Sequence, residues 1–141
     1  MAIPQQKMRE LVFQMLYSHD VGHVNETDMV AFLMAELSVT RQAVKQAQER
    51  VRQLLTHQTE IDALITQNTS SYEFDRIHSV ERNVLRLGVF ELLYDDAIPP
   101  KVAIAEALRL AKKFGSPESV SFVNAIIDGI YQKSAPKQQP D

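Results

Sequence analysis

Apolar residues recur along this chain at intervals of three and four rather than two, the period of helices and not of strands. Pro4 suits a first helical turn, where its missing N–H costs nothing. Met8, Leu11, Val12, Met15 and Leu16 then form one face of a helix that should end near Gly22. Thr27 is the expected N-cap of a short helix carrying Val30, Leu33, Met34 and Leu37. Thr40 should cap a long helix with the stripe Ala43, Val44, Ala47, Val51, Leu54 and Leu55, continuing or kinking through Ile61, Leu64 and Ile65. Gln67 to Ser71 is polar and punctuated, and reads as a loop. A seam between two helical subdomains is expected there, at 67–78.

Ser79 is expected to cap the next helix, whose Val80, Val84 and Leu87 align at helical spacing while Leu85, Leu92 and Leu93 widen the apolar face. Pro99 and Pro100 stop it. Lys101 to Phe114 follows, with Gly115 placed as a left-handed C-terminal residue. Ser116-Pro117 is a cap followed by a first-turn proline, opening a last helix that bears Val120, Val123, Ile126, Ile127 and Ile130. Lys133 to Asp141 holds two prolines, two glutamines and no aromatic residue, and is expected to be a disordered tail. Helices on short connections imply an all-α fold, a compact bundle with mostly antiparallel neighbours. Residues 1–132 should form that one domain.

Composition narrows the function more than the fold. The chain has 141 residues, 45% of them hydrophobic and 23% charged, which suits one globular domain. It has no cysteine, which excludes a disulfide scaffold, a thiol nucleophile and cysteine-ligated metals. Eighteen acidic residues against 15 basic ones leave a net charge of -3, so any attraction to nucleic acid must come from a local patch. Glu10 interrupts the N-terminal segment and no small-residue cleavage site follows it, so no signal peptide is expected. Every window of membrane-span length contains charged or strongly polar residues. A soluble, cytoplasmic protein is the expectation.

Candidate chemistry is sparse. His19 and His23 stand four apart, as a zinc pair would on one helix face, but further ligands and the glutamate of HExxH are missing. A surface or helix-terminal role is expected for both, and equally for His57 and His78. Asp95-Asp96 reads as solvated loop charge, since adjacent residues at a helix end rarely converge on a metal. Neither a phosphate-binding glycine loop nor a nucleophile elbow is present. Neither catalysis nor a cofactor is expected. Cations offer more: Lys7 and Arg9 lie on the first helix, Arg82 and Arg86 share a face at i, i+4, and Lys101, Lys112 and Lys113 flank another helix. Such a set is usually a solvated face. RNA binding would want aromatic rings beside it, for which Tyr17 and Phe122 are candidates.

The residues carry a resemblance as well. Glu81-Arg82-Asn83-Val84-Leu85-Arg86-Leu87-Gly88-Val89-Phe90-Glu91-Leu92 is followed by Lys101-Val102-Ala103-Ile104-Ala105-Glu106-Ala107, then Ala111-Lys112-Lys113-Phe114-Gly115. Ser121-Phe122-Val123-Asn124-Ala125 closes the series, and Arg9-Glu10 with Gln14-Met15-Leu16-Tyr17 precedes it. In this order the segments resemble the bacterial transcription antitermination factor NusB family, over residues 4 to about 131. The resemblance implies an all-α fold of two helical subdomains. It also implies a non-enzymatic adaptor that binds the boxA element of ribosomal RNA leader transcripts together with NusE, a ribosomal small-subunit protein. The pair joins an RNA polymerase antitermination complex, away from any membrane.

Taken position by position, the resemblance implies RNA contacts from Lys7, Arg9 and Gln14, from Arg82, Arg86 and Lys101, and from Phe122 and Asn124. It implies partner contacts from Tyr17 and Glu81. Two of these positions admit another reading: Arg86, set between leucines, suits a partly buried structural arginine, and Phe122 at the edge of its helix's apolar stripe suits the core. The chain also departs from the family. Gln5-Gln6-Lys7 stands where an arginine-rich run is usual, a loss of about two phosphate contacts and of about 0.7 in salt slope for each on single strands. Ala105 replaces a usual asparagine and Ala125 a usual glycine, so the backbone near the last motif is expected to be set differently. A second function therefore stands beside the first: a protein-interaction module that keeps the NusE surface and has lost useful RNA binding.

Overall fold

The computed structural model describes residues 3–22, 25–69 and 74–134, and among them the regular structure is helical throughout. Seven α-helices are present: α1 (Gln5–Val21), α2 (Glu26–Leu37), α3 (Arg41–Leu55), α4 (Gln58–Gln67), α5 (Ser79–Tyr94), α6 (Pro100–Phe114) and α7 (Pro117–Lys133). A short 3-10 turn, Phe74–Arg76, precedes α5. The all-α expectation holds. His23, the second half of the spaced histidine pair, lies outside the described residues, as do residues 70–73 and the tail from 135 onward.

The chain divides into two compact units between Thr56 and His57, well ahead of the expected seam at 67–78. The first unit packs α3 against α1 and α2. Arg9 through Phe13 is buried without interruption, so α1 has no solvent face over that turn. Asn25, not Thr27, caps α2: its side-chain oxygen accepts from the Thr27 amide at 2.9 Å and the Asp28 amide at 3.2 Å. Thr40 caps α3 as expected, accepting from the Ala43 amide at 3.1 Å.

In the second unit α5 lies among α4, α6 and α7. Its residues Asn83 through Leu92 are all buried, which explains why apolar residues there surround the helix instead of forming a stripe. The long helix expected from Thr40 onward is broken at Thr56-His57, so α4 is a separate element whose Ile61 and Ile65 are fully buried. The His57 ring stacks on Tyr94 at 4.0 Å and 17°, tying the start of α4 to the end of α5. Burial, and secondly the Glu60 carboxylate, push the Tyr94 phenol above its ordinary pKa of 10.0. Ser79 begins α5 rather than capping it; His78 occupies the cap position without a side-chain bond.

Two glycines answer to space. Gly115 is not left-handed, with φ -118° and ψ -132°. A Cβ there would meet the Ala111 carbonyl oxygen and the Ser119 Cβ, both at 2.8 Å. Ser116 caps α7 as expected, accepting from the Ser119 amide at 3.2 Å. That helix runs unbroken through Ala125, which is exposed. Lys133 closes α7 instead of opening a tail, and its ammonium donates to Asn68 Oδ1 at 3.2 Å.

Gly88 is where α6 and α7 both approach α5: a Cβ would stand 2.9 Å from Ile127 Cδ1 and 3.0 Å from Ala107 Cβ. The isoleucine tip can turn aside, but the alanine Cβ moves only with its helix. Gly88→Val is therefore expected to destabilise the fold by about 1–3 kcal/mol through overpacking. Urea unfolding reads this directly; an unchanged midpoint would mean that the helices separate there without strain.

Candidate nucleic-acid interface

The second unit gathers its chemistry around the start of α5. The 3-10 turn at Phe74–Arg76 closes with the Ile77 amide donating to the Phe74 carbonyl at 3.1 Å, and Ile77 is buried. Arg82, one turn into α5, folds back over this segment. Its Nη1 donates to the Ile77 carbonyl at 3.1 Å, and its guanidinium carbon lies 5.5 Å from the Phe74 ring centroid. Arg86, one turn further on, sits 5.2 Å from the same ring.

Arg86 belongs to the interior. Its residue is 7% exposed, and Nε and Nη2 donate to the two carboxylate oxygens of Asp62 at 2.9 and 3.0 Å. Nη1 donates to Asn83 Oδ1 at 3.2 Å, and Asn83 in turn donates to the Ser79 carbonyl at 2.8 Å. The arginine expected among the RNA contacts is thus a clasp between α4 and α5. Three of its five N–H donors are held there by Asp62 and Asn83.

Phe122, Glu81 and the residues before α5 are brought together. Arg76, Ile77, His78, Glu81, Glu118 and Phe122 line one cavity of about 250 Å³. Phe122 is half-buried, outside the stripe of Val123, Ile126, Ile127 and Ile130 that supplies the buried side of α7. It marks one edge of the helix's exposed arc and Asn124, exposed, marks the other. Lys101 is exposed in the first turn of α6 and does not line the cavity. Arg76, Ile77 and Glu118 are cavity residues that sequence reasoning missed, and His78 was given only a surface or helix-terminal role. Arg76 two residues after Phe74, in Phe74-Asp75-Arg76-Ile77-His78, was the available signal.

In the first unit, Lys7, Gln14 and Tyr17 are half-buried and fall within about 80° of arc on α1. The Tyr17 ring lies 6.0 Å from that of Phe13, so this tyrosine is anchored on one side. Gln5 and Gln6 are exposed at the helix start. Arg9 points elsewhere: it is 7% exposed, engaged within the protein, and on the side of α1 opposite Lys7. Its burial argues against the RNA contact expected of it. Among the described residues no group of three or more metal-ligating side chains converges, and no helix is long and apolar enough to cross a membrane.

Comparison with known proteins agrees with the all-α fold. The model of the NusB family matches residues 6–132. The chain belongs to the NusB family. The transcription antitermination protein NusB of Chlamydia pneumoniae is 39% identical over 132 residues, covering 94% of this chain and 82% of its own length. A solved structure of T. maritima NusB superposes with a TM-score of 0.78 at 33% identity, covering 97% of this chain and 96% of that one. A crystal structure of antitermination factors NusB and NusE in complex with dsRNA gives a TM-score of 0.77 at 29% identity, with 92% and 97% covered.

For this NusB-family chain the clasp predicts a division of labour between two arginines one turn apart. Arg86→Met leaves Asp62 and the fully buried Asn83 without their partner, and should cost about 3 kcal/mol of stability. The folded fraction should keep its affinity for RNA. Chemical unfolding and a binding titration on the one variant check both halves; weakened RNA binding at normal stability would return Arg86 to the interface.

Proposed function

We propose that this protein is a transcription antitermination adaptor that binds boxA-type single-stranded RNA together with NusE and acts in ribosomal RNA transcription. It works by binding, without catalysis, in the cytoplasm and as part of an RNA polymerase complex. One observation carries the reading beyond family membership. The half-buried Phe122 ring lines a cavity with Arg76 at the start of α5, beside the Arg82 that covers Phe74. A ring with cations at hand is what unpaired bases and their phosphates require. The complex of a relative, NusB and NusE with dsRNA, supports the choice of NusE and of RNA as partners.

Electrostatics favour weak binding by the chain alone. Two expected cations, Arg9 and Arg86, are buried within the protein, and Gln5 and Gln6 hold exposed positions at the start of α1. These observations give weight to the second reading, a module that keeps the NusE surface and binds RNA poorly. Titration of single-stranded boxA RNA at several salt concentrations, with and without NusE, separates the two. The adaptor reading expects measurable binding with a shallow salt slope, strengthened by NusE. Phe122→Ala should then weaken RNA binding by about 1–3 kcal/mol. Its stability loss should stay below the 3–5 kcal/mol, roughly, of a fully buried phenylalanine. Absence of RNA binding even with NusE present would leave only the interaction module.

Partner recognition should depend on an aromatic anchor more than on rim charge. Tyr17, half-buried against Phe13, meets that description. Tyr17→Asp should weaken the NusE heterodimer by at least tenfold with α1 still folded. Calorimetry gives the affinity and circular dichroism the fold. An unaltered heat of binding would take Tyr17 out of the interface.

A further inference from the structure

α6 gives one side to the fold and leaves the other open. Ala103, Ala107, Leu110 and Ala111 are buried, on a helix that packs against α5 and α7. On the opposite side Lys101, Ala105 and Lys112 are exposed and fall within about 40° of arc. Val102, 41% exposed, and the half-buried Leu108 extend Ala105 into an apolar ridge at i, i+3 and i+6. Such an i±3 row is what one helix packs into the groove of another, and the small residue at its middle permits close approach. Charge surrounds the ridge. α6 holds four basic residues and one carboxylate, in a chain of net charge -3. That carboxylate is taken: Arg109 Nε donates to both oxygens of Glu106, at 3.1 and 3.2 Å.

Lys112 and Lys113 stand in the last turn, where cations complement the helix dipole. Lys101 has no such reason. It stands in the first turn, where a cation is disfavoured, and no acidic residue accompanies it there. Among the described residues neither Lys101 nor Lys112 has a side-chain hydrogen bond or ion pair. Two open cations about 16 Å apart along the axis, with an apolar ridge between them, define the complement. RNA does not supply it. Phosphates gain nothing from the ridge, and the one ring on α6, Phe114, is half-buried with the Lys113 ammonium 5.8 Å from its centroid. A basic protein surface would be repelled. We propose that this face docks an acidic amphipathic helix of a partner protein. Its apolar side lies on Val102, Ala105 and Leu108, and its carboxylates, three turns apart, meet Lys101 and Lys112. The face is separate from the cavity beside Phe122, and Lys101 becomes a protein contact instead of an RNA contact.

The test uses the full chain and a capped, fluorescent synthetic peptide of about 18 residues, alanine-rich to hold a helix. It carries a leucine stripe and glutamates three turns apart; a second peptide has lysine at the glutamate positions. At low salt the glutamate peptide should bind roughly tenfold more tightly than the lysine peptide, and the gap should close as salt rises. Lys101→Glu with Lys112→Glu should reverse the order of the two peptides. Ala105→Gln leaves the charge unchanged but fills the middle of the ridge, and should weaken the glutamate peptide severalfold. All three positions are exposed, so circular dichroism should show each variant folded. Equal affinity for the two peptides, or a preference that none of these changes moves, would overturn the docking face. Single-stranded boxA RNA should not displace the glutamate peptide. Displacement, with RNA binding lost in the lysine variant, would give the face to RNA and overturn the proposal.

Discussion

The second unit depends on one buried cation. Arg86 is held by both oxygens of Asp62 and by Asn83, under the ring of Phe74. Taking a guanidinium out of water is favourable only when its donors are filled, and here the fork is matched to a carboxylate that α4 presents. The clasp sets the register of α4 on α5 and holds Phe74 over the first turns of α5. Arg76, Ile77 and His78 follow within four residues of that ring, and the Ile77 amide is bonded back to the Phe74 carbonyl. Among the described residues no buried side-chain nitrogen or oxygen lacks a partner. A fully satisfied polar network of this kind favours one arrangement over its near neighbours, because each alternative strands a buried group.

That constraint explains which features were legible in advance. Helix content followed from spacing alone, because stripes such as Ala43, Val44, Ala47 and Leu54 need only one buried side. Local rules served at Thr40 and Ser116, whose side chains cap the helices that follow them. They failed where a distant residue decides. Nothing between Thr56 and His57 breaks a helix by composition; the His57 ring leaves the helical path to stack on Tyr94. Asn25 and Thr27 are both competent caps, and the entry of the chain into α2 selects the asparagine. Gly115 fits a left-handed cap by sequence, yet it is required by the crowding of Ala111 and Ser119.

The candidate site was half legible for a related reason. Residue type reports charge, whereas availability of that charge is a tertiary property. Arg9, Arg82 and Arg86 are equivalent as letters in the sequence. In the fold Arg9 and Arg86 are buried, and Arg82 donates to the Ile77 carbonyl while remaining partly exposed. Phe122 was ambiguous because it borders the apolar stripe of α7, and half-burial is what that border position produces. The partner candidate Glu81 and the RNA candidate Phe122 line the same cavity, which no spacing rule could have indicated.

Ala125 bears on how firmly this face is held. It sits on the exposed arc of α7 between Phe122 and the helix end, at a position where the resemblance leads one to expect glycine. Alanine within a helix is more favourable than glycine by about 1 kcal/mol, because the unfolded chain has less freedom to lose. Ala125 therefore adds to the stability of α7, the helix that carries Phe122 and Asn124. The two departures from the family therefore act in opposite directions. Gln5 and Gln6 remove long-range attraction, which falls steeply with salt, whereas Ala125 favours a preformed surface, whose contribution is nearly independent of salt. Binding by this chain should accordingly rest less on charge and more on the fixed geometry of α7 and the start of α5.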